Sequence, residues 1–186
     1  MCRIHGVLDL APGARLDPAW ARRMGDVTRH RGPDDQGLFA GDGILLGMRR
    51  LSIIDVAGGH QPLHSADGRI QLVCNGEIYN FKTLRSELEV KGYKFSTGSD
   101  CEVLVHLYAE FGPDMVGRLD GMFAFALWDE GARRLVLGRD RLGIKPLYYL
   151  RDAQRLVFAS EIKAILEVPG VRADLEPAAL DQLLYL

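Results

Sequence analysis

Short apolar runs separated by polar turns make up most of the second half of the chain. Four of them have the character of strands: "MFAFALWD", "RLVLGRD", "PLYYL" and "RLVFASE". The first is apolar at every position but its last, so we expect both of its faces to be covered. Earlier in the chain, "CRIHGVLDL", "GILLGMRRLSII" and "RIQLVCN" are further β-rich runs. The pattern predicts short strands joined by turns.

Helical spacing occurs between these runs. The segment "PAWARRMGDVTRHR" predicts a helix with Asp17 at its N-cap and Pro18 at its first position. A second helix is predicted within "NFKTLRSELEVKGY", and a third after a capping box formed by Ser99 and Glu102. Hairpins with flanking helices, without a regular βαβ alternation, indicate sheets packed together and covered by helices.

The C-terminal segment 167–186, "EVPGVRADLEPAALDQLLYL", differs from the rest. It breaks at Pro169-Gly170 and then begins an amphipathic stretch through Leu175 and Leu180. We interpret 1–166 as one domain and 167–186 as a linker followed by the start of a further, truncated domain.

Composition and charge exclude several classes of protein. The formal net charge is -2 and the pI is about 6.2, so no global field draws the chain to nucleic acid or to an anionic membrane. The apolar runs are too short to span a bilayer, and the N-terminus lacks a secretory pattern. Three cysteines without close spacing argue against a disulfide framework. We therefore expect a cytoplasmic domain.

Cys2 has three interpretations. Free cysteines are most often small buried hydrophobes, which suits Cys74 and Cys101 better than a cysteine at a chain end. Cys2 and His5, with His60 and His64, could contribute to a metal site, but no second Cys or His pair has zinc-site spacing. The third interpretation is a nucleophile that works once Met1 is removed.

The nucleophile interpretation has a specific mechanism. Removal of Met1 leaves a thiol and an α-amine on one residue. The amine titrates near ~7.7–8.0 and the thiol near ~8.5, so the amine can act as the general base of the thiol. A chain that keeps Met1 has this amine locked in a peptide bond, and we expect negligible activity from it.

The segment "CNGEIYN" offers donors for the oxyanion of a tetrahedral intermediate. The side-chain amide of Asn75 and the backbone N–H of Gly76 are the candidates, at a turn following a strand. The carboxylates of Glu77 and Asp100, together with Arg50, could hold the two charged ends of a free amino acid. Asp100 could also serve only as a helix-dipole partner.

A series of ordered motifs resembles a known family. They are similar to the N-terminal glutaminase domain of glutamine-hydrolysing asparagine synthetases, which are class II glutamine amidotransferases with the N-terminal-nucleophile hydrolase fold. The forms "RLSIID" and "NGEIYN" favour this branch over the sugar-phosphate and purine-pathway amidotransferases. The motifs are "MC", "RHRGPDDQG", "RRLSIIDVAGGHQPL", "VCNGEIYN", "TGSDCEV", "LDGMFAFALWD", "GRDRLGIKPLYY" and "ASEIKA".

The resemblance implies a fold and an activity. The fold would be α+β, a four-layer αββα sandwich of two mostly antiparallel sheets. The activity would be hydrolysis of L-glutamine to glutamate and ammonia, with Cys2 attacking the side-chain amide carbon and Asn75 and Gly76 holding the oxyanion.

The resemblance also implies a substrate pocket. Its lining residues would be Arg50, Leu51, Ile53, Asn75, Glu77 and Asp100. Among these, Arg50 would pair with the α-carboxylate of glutamine, and Glu77 and Asp100 would receive the α-ammonium. Arg31, in the "RGPD" loop, would help to order the site, whereas "GRDRLGIKPLYY" is interpreted as mainly structural.

Arg3 departs from the family, which usually has a small residue after the cysteine. If the strand alternates from Cys2, the side chain of Arg3 lies on the face opposite the thiol. His5 raises a milder question of the same kind.

Cofactors and partners follow from the resemblance. The chain lacks the "SGGxDS"-type pyrophosphate loop of the synthetase domain, so ATP and magnesium are expected for that missing domain and no cofactor or metal for this one. The expected partners are L-glutamine and a C-terminal synthetase domain, and homodimer formation is left open. The alternatives are a non-catalytic amidotransferase-like module that binds glutamine or a partner, and a metal-binding domain.

Overall fold

The computed structural model describes residues 2–11, 16–51 and 58–184. Its strands are β1 Arg3–Asp9, β2 Asp35–Gly41, β3 Ile44–Arg50, β4 Leu63–His64, β5 Ile70–Ile78, β6 Gly121–Asp129, β7 Arg134–Arg139, β8 Tyr148–Arg151 and β9 Arg155–Ala159. Its α-helices are α1 Pro18–Asp26, α2 Phe81–Val90, α3 Glu102–Phe111, α4 Ile162–Ile165 and α5 Pro177–Leu184. Two 3₁₀ segments cover Arg29–Arg31 and Gly112–Arg118.

The strands form two antiparallel sheets. The first has the order β2-β3-β1-β9-β8 and the second the order β4-β5-β6-β7. The N-terminal strand β1 lies in the middle of the first sheet, between β3 and β9. The residue that precedes it, Cys2, therefore lies at the end of a central strand despite its place near the chain end.

Three hydrophobic clusters define four layers. The middle cluster lies between the sheets and includes Ile4, Val73 and Trp128. A second cluster packs α2 and α3 on the outer face of the β4–β7 sheet, and a third packs α1 and α4 on the outer face of the other sheet. The predicted αββα sandwich is confirmed.

The strand predictions hold for the hairpins of the second half, and β6 is covered on both faces as expected. The sequence does not predict strand β2, because the first residues of β2 fall in the Gly-Pro-Asp loop pattern. Strand β5 continues through Asn75 and Gly76 to Ile78, so these two residues do not lie at a turn. Their pairing with Phe123 and Ala124 of β6 keeps an Asn-Gly pair in extended backbone.

The helix starts were predicted with mixed success. Asp17 caps α1 by accepting a hydrogen bond from the N–H of Ala19 at 2.9 Å, as expected. The capping box at α3 is wrong, because the side chain of Glu102 accepts hydrogen bonds from the upstream residues Ser96 and Thr97 and not from the N–H of Ser99.

The C-terminal segment leaves the core in stages. Val168 is buried against α1 and α4, beyond the predicted domain limit at 166. Helix α5 has no buried residue in the described part of the chain. Among the described helices, none is long and apolar enough to cross a membrane.

Candidate active site

A pocket opens where the N-terminal end of β1 meets the β4 side of β5. Its empty space is about 540 Å³, part of it open to solvent, which is within the range of small-molecule sites. Seven of the predicted site residues that the structure describes line it. The lining is Cys2, Arg50, Leu51, Gly59, Gln61, Cys74, Asn75, Gly76, Glu77, Ser99, Asp100, Cys101 and Lys145.

Cys2 enters the pocket from the first sheet. It packs against the cluster between the sheets, and its thiol lies 3.6 Å from the carbonyl oxygen of Leu51. Burial raises the pKa of the Cys2 thiol, while the backbone of Leu51 and the charge of Arg50 act in the opposite direction. A neutral thiol of raised pKa needs a base nearby before it can attack.

The oxyanion candidates come from the opposite sheet. Asn75 is 1% exposed, and its side-chain nitrogen is buried without a hydrogen-bond partner among the described residues. An unsatisfied buried donor costs about 1–3 kcal/mol, so its retention beside a thiol suggests that a ligand oxygen completes it.

The edge of β5 that faces away from β6 lines the pocket with backbone N–H groups. Along an antiparallel strand, alternate residues direct their N–H and C=O to the same edge. On this edge the N–H of Cys74 donates to the side chain of Gln61 at 2.7 Å, and the N–H of Ile78 donates to Asp100 at 2.8 Å. Gly76 lies between them, so its N–H faces the same way.

The pairing on the other side of β6 supports this orientation. Phe123, which is opposite Gly76, accepts a hydrogen bond at its carbonyl from Asp140 at 2.8 Å, on the β7 side. The pair Gly76–Phe123 is therefore not hydrogen-bonded. A Cβ on Gly76 would lie 2.2 Å from the carbonyl oxygen of Met122, so only glycine fits here.

Asp100 is held at the start of α3. Burial raises the pKa of its carboxyl, and the hydrogen bond from Ile78 opposes that shift. The loop before it is anchored by Glu102, which accepts four hydrogen bonds from the N–H and hydroxyl groups of Ser96 and Thr97. The carboxylate of Glu102, which does not form the predicted capping box, thus orders the segment leading to Asp100.

Arg50 ends β3 and is buried. The loop "RGPD" packs against it: the N–H of Asp34 donates to the Arg50 carbonyl at 3.1 Å, and a Cβ on Gly32 would lie 2.7 Å from the Arg50 nitrogen. Arg31 itself is exposed and does not line the pocket, and its site-ordering role stays a prediction.

Ile53 and Glu77 are two further predicted pocket residues. Ile53 lies outside the described residues. Glu77 follows Asn75 by two positions on β5, so their side chains share one face, and it lines the pocket half-buried.

The sequence missed several pocket residues. Gln61 belongs to "GGHQPL" and Lys145 to "GRDRLGIKPLYY". Both residues are buried in the pocket wall, although the sequence indicates a mainly structural role for the second motif. Cys74 and Cys101 are buried thiols, as expected, and they also reach the pocket. A hydrogen bond with Cys74 and, to a smaller extent, burial raise the pKa of the Cys101 thiol well above its usual range.

Arg3 and His5 lie on the face of β1 opposite the thiol, as alternation predicts. Arg3 donates to Glu161 at 2.5 Å and to the Cys2 carbonyl at 2.9 Å. His5 is buried over Gly47, whose added Cβ would lie 2.2 Å from the ring nitrogen Nε2. Because Cys2 and His5 occupy opposite faces, they cannot share a metal ion. The described residues contain no group of three or more side chains that could hold one.

Solved structures show the class of fold. The chain superimposes on a glutamine phosphoribosylpyrophosphate amidotransferase from B. subtilis with a TM-score of 0.74 at 24% identity, covering 88% of this chain and 43% of that one. A second structure, described as the allosteric regulatory enzyme of purine biosynthesis, gives a TM-score of 0.75 at 24% identity, over 89% of this chain and 43% of the other. The fold is that of the N-terminal-nucleophile amidotransferases.

The family follows from sequence. A glutamine amidotransferase domain model matches residues 1–186, and the chain belongs to that family. It is 46% identical over 169 residues to asparagine synthetase B (glutamine-hydrolysing) of Escherichia coli, covering 90% of this chain and 30% of the relative. It is 39% identical over 189 residues to asparagine synthetase 3 (glutamine-hydrolysing) of Bacillus subtilis, covering 100% of this chain and 31% of the relative. The chain thus spans less than a third of these relatives' length.

Proposed function

We propose that this chain hydrolyses L-glutamine to glutamate and ammonia through a thioester on Cys2. The observation that carries the proposal is the buried, unpartnered amide nitrogen of Asn75 in the same pocket as the Cys2 thiol. The charges of the pocket support an amino acid as substrate. Arg50 suits an α-carboxylate, and Glu77 and Asp100 suit an α-ammonium.

The reaction begins with proton transfer. Once Met1 is removed, the α-amine of Cys2 takes the thiol proton, and the sulfur forms a bond to the side-chain amide carbon of glutamine. Asn75 and Gly76 donate to the oxyanion that develops there. The α-ammonium returns the proton to the leaving nitrogen, the C–N bond breaks, and ammonia departs. Water then attacks the thioester carbon, which frees glutamate and restores the thiol.

The test uses a chain whose mass confirms that it begins with Cys2 (the Cys-first chain). We expect it to release glutamate and ammonia in equal amounts, and we expect Cys2→Ala to abolish both while still binding glutamine. A matched preparation that keeps Met1 should also be inactive. Undiminished turnover by Cys2→Ala would contradict the proposal, and glutamine binding without turnover by the Cys-first chain would favour the non-catalytic module.

We further propose that the ammonia serves an ATP- and magnesium-dependent asparagine synthetase domain, which the relatives' names and their additional length support. Residues 1–166 would form the amidotransferase domain, and 167–186 the linker and the start of the next domain. A protein joining this chain to such a domain should form asparagine from glutamine, aspartate and ATP. This chain alone should not, because its sequence lacks the pyrophosphate loop.

A further inference from the structure

The side chain of Gln61 makes an unusual pair of hydrogen bonds with one residue of β5. Its amide nitrogen donates to the Cys74 carbonyl at 3.2 Å, and its amide oxygen accepts from the Cys74 N–H at 2.7 Å. Gln61 is 5% exposed, and both bonds are buried. One side-chain amide thus satisfies both backbone groups of Cys74.

These two hydrogen bonds lie where β4 would pair with β5 if β4 began two residues earlier. β4 pairs with β5 at Leu63–Leu72, and the same antiparallel register extended by two residues would put residue 61 opposite Cys74. There the side-chain amide of Gln61 replaces the backbone amide as the partner. The main chain is free to leave the sheet, and the pocket occupies that side of β5.

The main chain at Gln61 packs instead against the first sheet. A Cβ on Gly37 of β2 would lie 1.6 Å from the Gln61 carbonyl oxygen, so this contact requires a glycine. Gln61 therefore links β2 of the first sheet to β5 of the second. These are the two sheets that carry the nucleophile and the oxyanion donors.

The consequence concerns the donors next to Cys74. On the pocket edge of β5, Gln61 holds the N–H of Cys74 and Asp100 holds the N–H of Ile78, with the Gly76 N–H between them. Oxyanion donors act only when they lie about 2.7–3.1 Å from the developing charge, and a displacement of about 1 Å can cost 10²-fold in rate.

We propose that Gln61 is a positioning residue that fixes the edge of β5 so that Asn75 and Gly76 face the oxyanion. This inference rests on the proposed function. Gln61 would affect the transition state more than the bound substrate, because the negative charge that Asn75 and Gly76 stabilise develops only during the reaction.

The first experiment compares Gln61→Met with the wild-type Cys-first chain. Methionine keeps the length of the side chain and loses both hydrogen bonds. We expect kcat to fall roughly 10- to 100-fold with the KM for glutamine little changed. Alkylation of Cys2 by iodoacetamide, which forms no tetrahedral oxyanion, should keep its rate. The matched control is Gln71→Met on β5. The side-chain amide of Gln71 donates to the Gly68 carbonyl of a turn. An unchanged kcat, or a fall equal to that of the control, would overturn the inference.

A second variant separates positioning from mere packing. In Gln61→Glu the protonated carboxyl can donate to the Cys74 carbonyl and accept from its N–H, whereas the carboxylate cannot donate. The kcat of Gln61→Glu relative to wild type should therefore rise as the pH falls, and burial should place this rise above the usual range of a glutamate. A ratio that stays flat with pH would speak against the role assigned to Gln61.

A third measurement does not depend on turnover. Amide hydrogen exchange at Cys74 should be faster in Gln61→Met than in Gln71→Met, because only the first variant frees that N–H. Equal exchange would refute the link between Gln61 and β5 even in a chain without glutaminase activity. Absent turnover together with faster exchange would refute the proposed function and leave the link to β5 standing.

Discussion

At the scale of single residues, charge determines what the pocket can hold. Two cationic side chains, Arg50 and Lys145, and two acidic ones, Glu77 and Asp100, line a space of small-molecule size. A free amino acid carries one charge of each sign at its α-carbon, so this lining suits it better than it suits a neutral amide. Burial contributes to a raised pKa of the Cys2 and Cys101 thiols beside these groups, which keeps the two thiols neutral.

Asp100 gives a prediction with a definite sign. Burial raises the pKa of its carboxyl above 3.8, so acidification neutralises it earlier than an ordinary aspartate. The affinity for glutamine should then weaken as the pH falls through this raised pKa, because the α-ammonium loses a charged partner. Titration calorimetry in the Cys2→Ala chain, which has no thiol to form the thioester, measures this without interference from turnover.

The matched variant is Asp100→Asn. It keeps an oxygen for the Ile78 N–H but loses the charge, and we expect glutamine affinity to drop roughly 10- to 100-fold at neutral pH, as for a hydrogen bond to a charged group. In the acidic range its affinity should change less than that of the parent. Glu110→Gln, at the far end of α3, serves as the control. Equal affinities of Asp100→Asn and the parent at neutral pH would remove Asp100 from the site.

At the scale of elements, β5 unites most of the candidate machinery. Its inner face carries Asn75 and Glu77, and its pocket edge carries the Gly76 N–H. The sequence predicted the residues of this segment and their pocket but placed them at a turn, because Asn-Gly is a common turn pair. Pairing with the long apolar strand β6 overrides that local preference.

Gly76→Ala tests how tightly β5 and β6 are packed. The added Cβ would meet the backbone of Met122 and Phe123, which cannot rotate away, so we expect a loss of roughly 1–3 kcal/mol in the free energy of unfolding. Urea denaturation should show a lower midpoint with an unchanged slope. Gly117→Ala is the control, since nothing lies within 4 Å of its Cβ position. Equal midpoints for the two variants would contradict the close approach of the strands.

At the scale of the whole molecule, the four layers explain why Arg3 and His5 do not crowd the Cys2 thiol. Both side chains lie on the helix side of the first sheet, where Arg49 contacts Asp26 and donates to the Gly25 carbonyl at 3.2 Å. His5 is fully enclosed there, and its Nδ1 has no partner among the described residues.

The enclosed His5 makes stability depend on pH. Burial, with a smaller contribution from Arg49, lowers the pKa of His5 from 6.5 to about 4, while Ala21 and Asp26 act in the opposite direction. As the pH falls below 6.5, the unfolded chain binds a proton that the folded chain excludes until about pH 4. We expect this group to remove about 3 kcal/mol of stability across that interval.

Denaturation of His5→Phe from pH 7 to pH 4 isolates the effect, because phenylalanine keeps a ring over Gly47 and cannot titrate. The difference in unfolding free energy between this variant and wild type should shift by about 3 kcal/mol in favour of the variant at the acidic end. His64→Gln, at an exposed histidine, should follow wild type. A difference that does not vary with pH would mean that His5 is not excluded from protonation.

The sequence by itself determined the strands of the second half, the start of α1, the family and most of the pocket residues. These follow from local hydrophobic periodicity and from motifs whose chemistry is carried by residue type. Only the tertiary structure decided that β5 runs through Asn75 and Gly76, that Glu102 anchors the loop before Asp100, and that Gln61 and Lys145 reach the pocket. Each of these depends on contacts between distant segments, such as Gln61 with Cys74. A buried hydrogen bond between distant segments produces no hydrophobic periodicity in the sequence, so the sequence pattern does not predict it.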